Sequence, residues 1–114
     1  MNKFDLIERT EMIGKEAIML CKAISPSSVN NPLISQFVRS ATSIGANYCE
    51  GTEANSKKDF CNKLAIAKKE AKESIHWIKM IKTSEPTLSN RLDLLGDEIH
   101  QIVLIFSASI KNCK

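Results

Sequence analysis

Glu73-x-x-His76 and Asp97-x-x-His100 each put a carboxylate and an imidazole one helical turn apart. In di-iron helical bundles such pairs point into the core beside further glutamates. Here the apolar periodicity turns Glu73, His76 and Asp97 away from the predicted core and leaves His100 well off it, so no metal site is expected. Nucleophilic chemistry has no better footing. Cys21, Cys49, Cys61 and Cys113 form no C-x-x-C pair and have no histidine at zinc-ligand spacing, and four glycines leave no phosphate-cradling loop. Neither a cofactor nor an enzymatic activity is expected.

The chemistry that remains is charge. The formal net charge is +3, yet between Lys57 and Lys82 eight lysines stand against Asp59, Glu70 and Glu73, a local +5 that leaves −2 for the rest of the chain. At helical pitch Lys68, Lys72 and Lys79 share one flank, with Lys58 and Lys69 further round. Such a row can neutralise phosphates. No aromatic residue interleaves it, so base stacking is not expected and sequence preference should be weak. A lysine-rich helix is also the ordinary way to keep a surface soluble.

These residues need helices to position them. Leu6, Ile13, Ala17, Leu20 and Ile24 recur at steps that sum threes and fours, which predicts a helix over 4–24 ended by Ser25-Pro26-Ser27-Ser28. Thr10 interrupts that stripe and Gly14 lies beside it, so the N-terminal half is expected to be the looser one. Asn30-Asn31-Pro32 reads as the start of a second helix over 33–52, with Ile34, Phe37, Ala41, Ile44 and Tyr48 as core and Gly51 as a left-handed cap. Ser56-Lys57-Lys58-Asp59 resembles a capping box for a third over 57–83, with Phe60, Leu64, Ala67, Ala71, Ile78 and Ile81 as core. Pro86 marks a turn, and Leu92, Leu95, Ile99, Ile102, Phe106 and Ile110 predict a fourth over 89–111. No stretch alternates with the period of a strand. The 114 residues therefore read as one all-α domain, an up-down-up-down antiparallel four-helix bundle.

Two further faces stand out. Arg39, Ser43, Asn47 and Glu50 lie opposite the core stripe of the second helix, to meet solvent, another subunit or a neighbouring helix's carboxylates. Ile66, Glu70, Glu73, Trp77 and Met80 form a second stripe on the third helix, an apolar patch interleaved with carboxylates. Such patches commonly mark association surfaces, so an oligomer interface is expected from Arg39, Ser43, Asn47, Glu50, Ile66, Glu70, Glu73 and Trp77. A broad core stripe in which Trp77 covers the bundle edge is the plainer alternative.

The longest apolar run, 102–106, is far too short to span a bilayer. With no signal peptide evident, the protein is expected in the cytoplasm with its four cysteines reduced and three of them buried in helices. Residues 1–3 and 112–114 are expected to be disordered.

Arg39, Ser43-Ile44, Asn47, Glu50-Gly51, Ser56-Lys57-Lys58-Asp59-Phe60, Leu64, Lys69-Glu70-Ala71, Glu73 and Trp77 together resemble the four-helix-bundle proteins encoded in bacterial 23S rRNA intervening sequences, also labelled S23-like. The match runs from Arg39 to Trp77, and the flanking helices agree in length and pattern. Cys49 departs from it, as does the 52–55 turn, which lacks a glycine and an arginine seen in many relatives. The resemblance implies a ring-like homopentamer, similar to the accessory protein of diversity-generating retroelements, a basic pentamer that binds nucleic acid and a reverse transcriptase. The expectation is thus a non-enzymatic oligomer with weak, sequence-tolerant RNA or DNA binding through Lys58, Lys68, Lys69, Lys72 and Lys79. A protein-interaction scaffold with no nucleic-acid role is the alternative.

Overall fold

Among the described residues four helices form where the apolar spacing places them. They are α1 (Lys3–Lys22), α2 (Asn30–Thr52), α3 (Lys57–Ser84) and α4 (Ser89–Lys111), with a 3-10 turn over Pro86–Leu88 leading into α4. The computed structural model describes residues 3–113, with side chains from Asp5 onward. Met1, Asn2 and Lys114, part of the ends expected to be disordered, lie outside the described residues. The remaining end residues do not follow that expectation: Lys3 opens α1, and the Asn112 and Cys113 amides donate to Ser109 O and Ile110 O beyond α4.

Cross-helix pairs fix the direction of every helix, because in each case the number rises on one helix as it falls on the other. Gly14 packs on Thr42 and Gly45 on Thr10, Lys63 meets Glu50 and Arg39 meets Glu70, Cys61 meets Cys113 and Lys82 meets Asp93, and Arg9 meets Glu98 while Arg91 meets Glu16. Each helix is antiparallel to both neighbours, in a rod of 44 × 21 × 21 Å. The core runs along its axis: Ile13, Leu20, Phe37, Ile44, Leu64, Ile81, Leu92, Ile99, Ile102 and Phe106 are all closed to solvent. Tyr48 reaches from α2 to stack on Phe106 of α4, with ring centroids 5.5 Å apart.

Local chemistry differs from expectation at four places. Thr10 does not loosen α1. Its side chain is buried, its Oγ1 donates back to Leu6 O or Ile7 O at 2.8 and 3.1 Å, and a Cβ on Gly45 would meet it at 3.2 Å. Thr10 and Gly14 are thus points of close approach between α1 and α2. Gly51 is not a left-handed cap either, since no described glycine has a positive φ and α2 continues to Thr52. It is small because Lys63 Cβ and Phe60 Cδ1 of α3 would lie 3.2 and 3.3 Å from any Cβ there.

The start of α2 is also reassigned. Ser27 Oγ accepts the Asn30 amide at 2.9 Å and Asn31 Oδ1 accepts the Ser27 amide at 3.2 Å, so serine supplies the cap oxygen. Asn30 itself is buried. Its Nδ2 donates to Ser25 O and Glu85 Oε1, and its Oδ1 accepts from Ser84 Oγ, tying the α1–α2 loop to the end of α3. At α3 the expected cap is present, with Ser56 Oγ accepting the Asp59 amide at 3.1 Å.

The cysteines bring the fourth correction. Cys61 in the second turn of α3 and Cys113 just past α4 are joined by a disulfide, while Cys21 and Cys49 are free. The expectation of four reduced thiols fails because the antiparallel arrangement returns the chain end to the start of α3. Burial pushes the Cys21 thiol up to about 11, which keeps it protonated and unreactive.

Candidate nucleic-acid interface

α3 is the longest helix, 28 residues, and it has one face for each role. Leu64, Ala67, Ala71, Ser74, Ile78 and Ile81 are buried. The face opposite carries Lys58, Asn62, Ala65, Lys69, Lys72, His76 and Lys79, all exposed. At 100° per residue Lys58, Lys68, Lys69, Lys72 and Lys79 fall within an arc of about 100°, and they span about 32 Å at 1.5 Å per residue. Lys68 sits at the edge of the arc and is half-buried.

The five differ from two other lysines of the same helix. Lys63 is paired with Glu50 at 2.6 Å and Lys82 with Asp93, so both charges are largely answered within the protein. Among the described residues no carboxylate oxygen lies within 4 Å of the ammonium groups of Lys58, Lys68, Lys69, Lys72 or Lys79. The ridge is therefore a row of cations on a rigid support, none with an ion pair inside that distance, of which Lys69 feels the Glu73 carboxylate at longer range.

That support comes from the polar residues expected at an oligomer interface, which the structure uses to join α2 to α3. Arg39 reaches across to both Glu70, at 3.1 Å, and Glu73. Trp77 Nε1 donates to Glu73 Oε2 at 3.0 Å. This hydrogen bond, with the Arg39 pair and the nearby Lys69 charge, holds the Glu73 carboxyl below its ordinary value against the opposing effect of burial. The hydrogen bond to Glu73 in turn raises the Arg39 guanidinium. Ser43 Oγ donates to Arg39 O and Asn47 Nδ2 to Ser43 O, both within α2. Glu50 pairs with Lys63 at the far end of the seam. Of the eight, Ile66 keeps an exposed apolar side chain, with Met80 beyond it.

Beneath these pairs the seam is made of small residues. Ser40, Ala41, Ala67, Ala71 and Ser74 are all closed to solvent. Ser40 Oγ donates to Phe37 O, and Ser74 Oγ lies 2.9 Å from both Ser40 Oγ and Glu70 O, so its single proton serves one or the other. No buried side-chain polar atom among the described residues lacks a partner.

Glu73 is thus engaged by Trp77 and Arg39, and the exposed His76 ring stands edge-on to Trp77 at 4.8 Å. Among the described residues no three His, Cys, Asp or Glu side chains converge as metal ligands. Among the described residues no helix is long and apolar enough to cross a membrane.

Spacing arguments missed the second clamp of the bundle. Arg9 of α1 donates to Glu98 Oε2 at 2.9 Å, to Glu98 Oε1 at 2.6 Å and to Gln101 at 3.1 Å, and Arg91 of α4 meets Glu16 at 3.3 Å. The signal was the opposite charge on facing flanks, which is visible only once α1 and α4 are known to be neighbours. Between the two clamps lies a shallow groove of about 290 Å³ lined by Met12, Ile13, Leu94 and Leu95.

An antiparallel four-helix bundle with a basic outer ridge on α3 is the class that fold and surface define. The sequence profile of the 23S rRNA-intervening sequence protein family matches residues 3–108, and the chain belongs to that family. It is similar to the crystal structure of a protein of unknown function from the S23 ribosomal protein family of Bacteroides thetaiotaomicron. The two are 29% identical with a TM-score of 0.80, over 92% of this chain and 97% of that one. No curated protein matches the sequence.

Proposed function

We propose that this protein is a non-enzymatic, self-associating bundle that holds RNA or DNA through the α3 ridge, weakly and with little preference for sequence. One observation carries the proposal: Lys58, Lys68, Lys69, Lys72 and Lys79 stand in one arc without carboxylate partners, whereas Lys63 and Lys82 are neutralised. Uncompensated lysines on a fixed scaffold release counterions from phosphates, which gives affinity without base readout. The family description names an intervening sequence of 23S rRNA, which makes RNA the first ligand to test.

Fluorescence anisotropy of the full chain with labelled RNA and DNA at low salt tests this. Binding that falls steeply with salt, and that Lys68→Glu plus Lys72→Glu weakens for all sequences alike, is the expected result. Absence of binding at low salt removes the proposal.

Self-association is part of the same proposal, as a ring-like homopentamer in line with the resemblance to the retroelement accessory protein. Ile66 at 41% and Met80 at 37% exposure flank the Arg39–Glu73–Trp77 cluster, with Ser43 and Asn47 beside them. A monomeric mass by light scattering at micromolar concentration would remove this part. The proposed setting is the cytoplasm, where disulfides are uncommon. The ridge from Lys68 to Lys79 lies two turns or more beyond Cys61 and does not depend on the bond.

A second reading keeps the bundle as a protein-interaction scaffold with the lysines only solvating it. Leu94 at 73% exposure, with Met12, Met19 and Leu104 at 57%, favours it. Affinity capture with and without nuclease separates the two, since partners held through nucleic acid are lost on digestion.

A further inference from the structure

The α3 ridge has cations and a single exposed ring, His76, on which a base could lie. Phe37 and Phe106 are fully buried, and Tyr48 is buried and stacked on Phe106. Phe60 is packed against the core beside Gly51. Trp77 is half-buried on the α2 side of α3, with its Nε1 committed to Glu73. His76, the aromatic ring on the ridge itself, is held edge-on to Trp77. Proteins that grip single strands gain about 1–3 kcal/mol per base from stacking on successive exposed aromatic side chains, and the described side chains on this ridge offer His76 alone.

The cations suit a different target. α3 runs unbroken from Lys57 to Ser84, and its lysines keep fixed axial offsets over about 32 Å, close to ten base pairs of duplex at 3.4 Å each. A duplex presents one charge per ~1.7 Å of its axis, already rigid, whereas a single strand presents half that density and must be drawn out along the ridge. Each neutralised phosphate also releases more counterion from a duplex, about 0.9 against about 0.7 per contact.

From a stacking surface limited to one ring together with the rigid row of lysines outside ion-pair distance of any carboxylate, we infer that the ridge docks on the phosphate backbone of double-stranded nucleic acid in preference to single strands. This rests on the nucleic-acid reading above and narrows it to one class of ligand. Duplex RNA and duplex DNA present the same phosphate chemistry, and the test treats them as separate arms.

The experiment is an anisotropy titration of the full chain against a labelled duplex of about 20 base pairs, long enough for the ridge to sit wholly on it. Its two component strands, chosen to lack internal pairing, are titrated singly, in RNA and in DNA. With five contacts, the counterion term alone favours the duplex by about twentyfold near 50 mM salt. Lys69→Glu plus Lys72→Glu, which leaves three of the five contacts, should cut that preference to about a few-fold and take most of the affinity with it. A duplex bound more tightly than its own strands in either arm, with the preference reduced in the double variant, supports the inference. Single strands bound equally or more tightly in both arms overturn it and leave the broader reading standing. A duplex preference unchanged in the double variant also overturns it, because the ridge would then not be the contact. Absence of binding to any probe overturns both.

Discussion

The α2–α3 and α1–α4 seams are both crossed by arginine–glutamate pairs, yet they are built in opposite ways. α2 and α3 share the most extensive contact in the bundle, and α1 and α4 the least. Between α2 and α3 the facing residues are small, Ser40 and Ala41 against Ala67, Ala71 and Ser74, so the backbones approach closely and Arg39 lies over a joint that is already closed. Between α1 and α4 the arginines span a gap, leaving Met12 and Leu94 exposed over a groove. Ion pairs near a surface contribute little, so the first seam is stiff because of its packing and the second, with far less backbone contact, is the looser of the two. The lysine ridge rides on the stiff side.

The largest test of that contrast is to cut the bond that holds α4 to α3. The disulfide closes 52 residues, and reducing it should lower the unfolding free energy by about 2–4 kcal/mol in urea titrations with and without a phosphine reductant. Hydrogen exchange should quicken at the end of α4 and stay slow across Ser40 and Ser74. Equal quickening at both places would show that the stiff seam has no independent rigidity.

Ala71→Leu comes next, forcing a larger side chain between α2 and α3. It should cost about 1–3 kcal/mol, read as a lower urea midpoint with an unchanged m-value. Tolerance at this position would mean that the small residues are not what sets the approach.

Arg39→Ala should cost less, about 0.5–1 kcal/mol, because the pairs lie outside the packed seam and are partly solvated. It should also shift an acid titration. The folded-state value of Glu73 is depressed, so its contribution to stability is present above the unfolded carboxyl value and is lost as pH falls through the folded one. The fluorescence of Trp77, the only tryptophan, should report that step at a pH below the ordinary glutamate value of about 4.3. Arg39→Ala should move it upward. A midpoint that does not move would show that Trp77 alone holds the carboxylate.

Leu94→Ser should be the smallest, within about 0.5 kcal/mol, since the side chain is 73% exposed in the open groove. A loss comparable to that of Ala71→Leu would erase the contrast between the seams.

The helices were legible because apolar residues at steps of three and four report burial directly, and the positions read as core are largely the buried ones. Charge along α3 was legible for the same reason, since positions on one helix have a fixed angular relation. Features that need two helices were not. Thr10 looked like an interruption until Gly45 was placed against it, and Gly51 looked like a cap until Phe60 and Lys63 covered it. Arg39 was read as facing outward, with a neighbouring helix's carboxylates as one of its possible partners, and the structure supplies Glu70 and Glu73. Cys61 and Cys113 stand 52 residues apart in sequence, and no local pattern connects them.

The central claim is that unpaired lysines on the stiff side of the bundle hold nucleic acid, and the salt dependence of binding tests it most directly. Log Kobs against log salt should fall with a slope of about −3 to −5 for the wild-type chain on whichever strand form binds tighter, flattening by about 1.5–2 in Lys69→Glu plus Lys72→Glu. The same slope and affinity in the variant, or wild-type binding indifferent to salt, would contradict it.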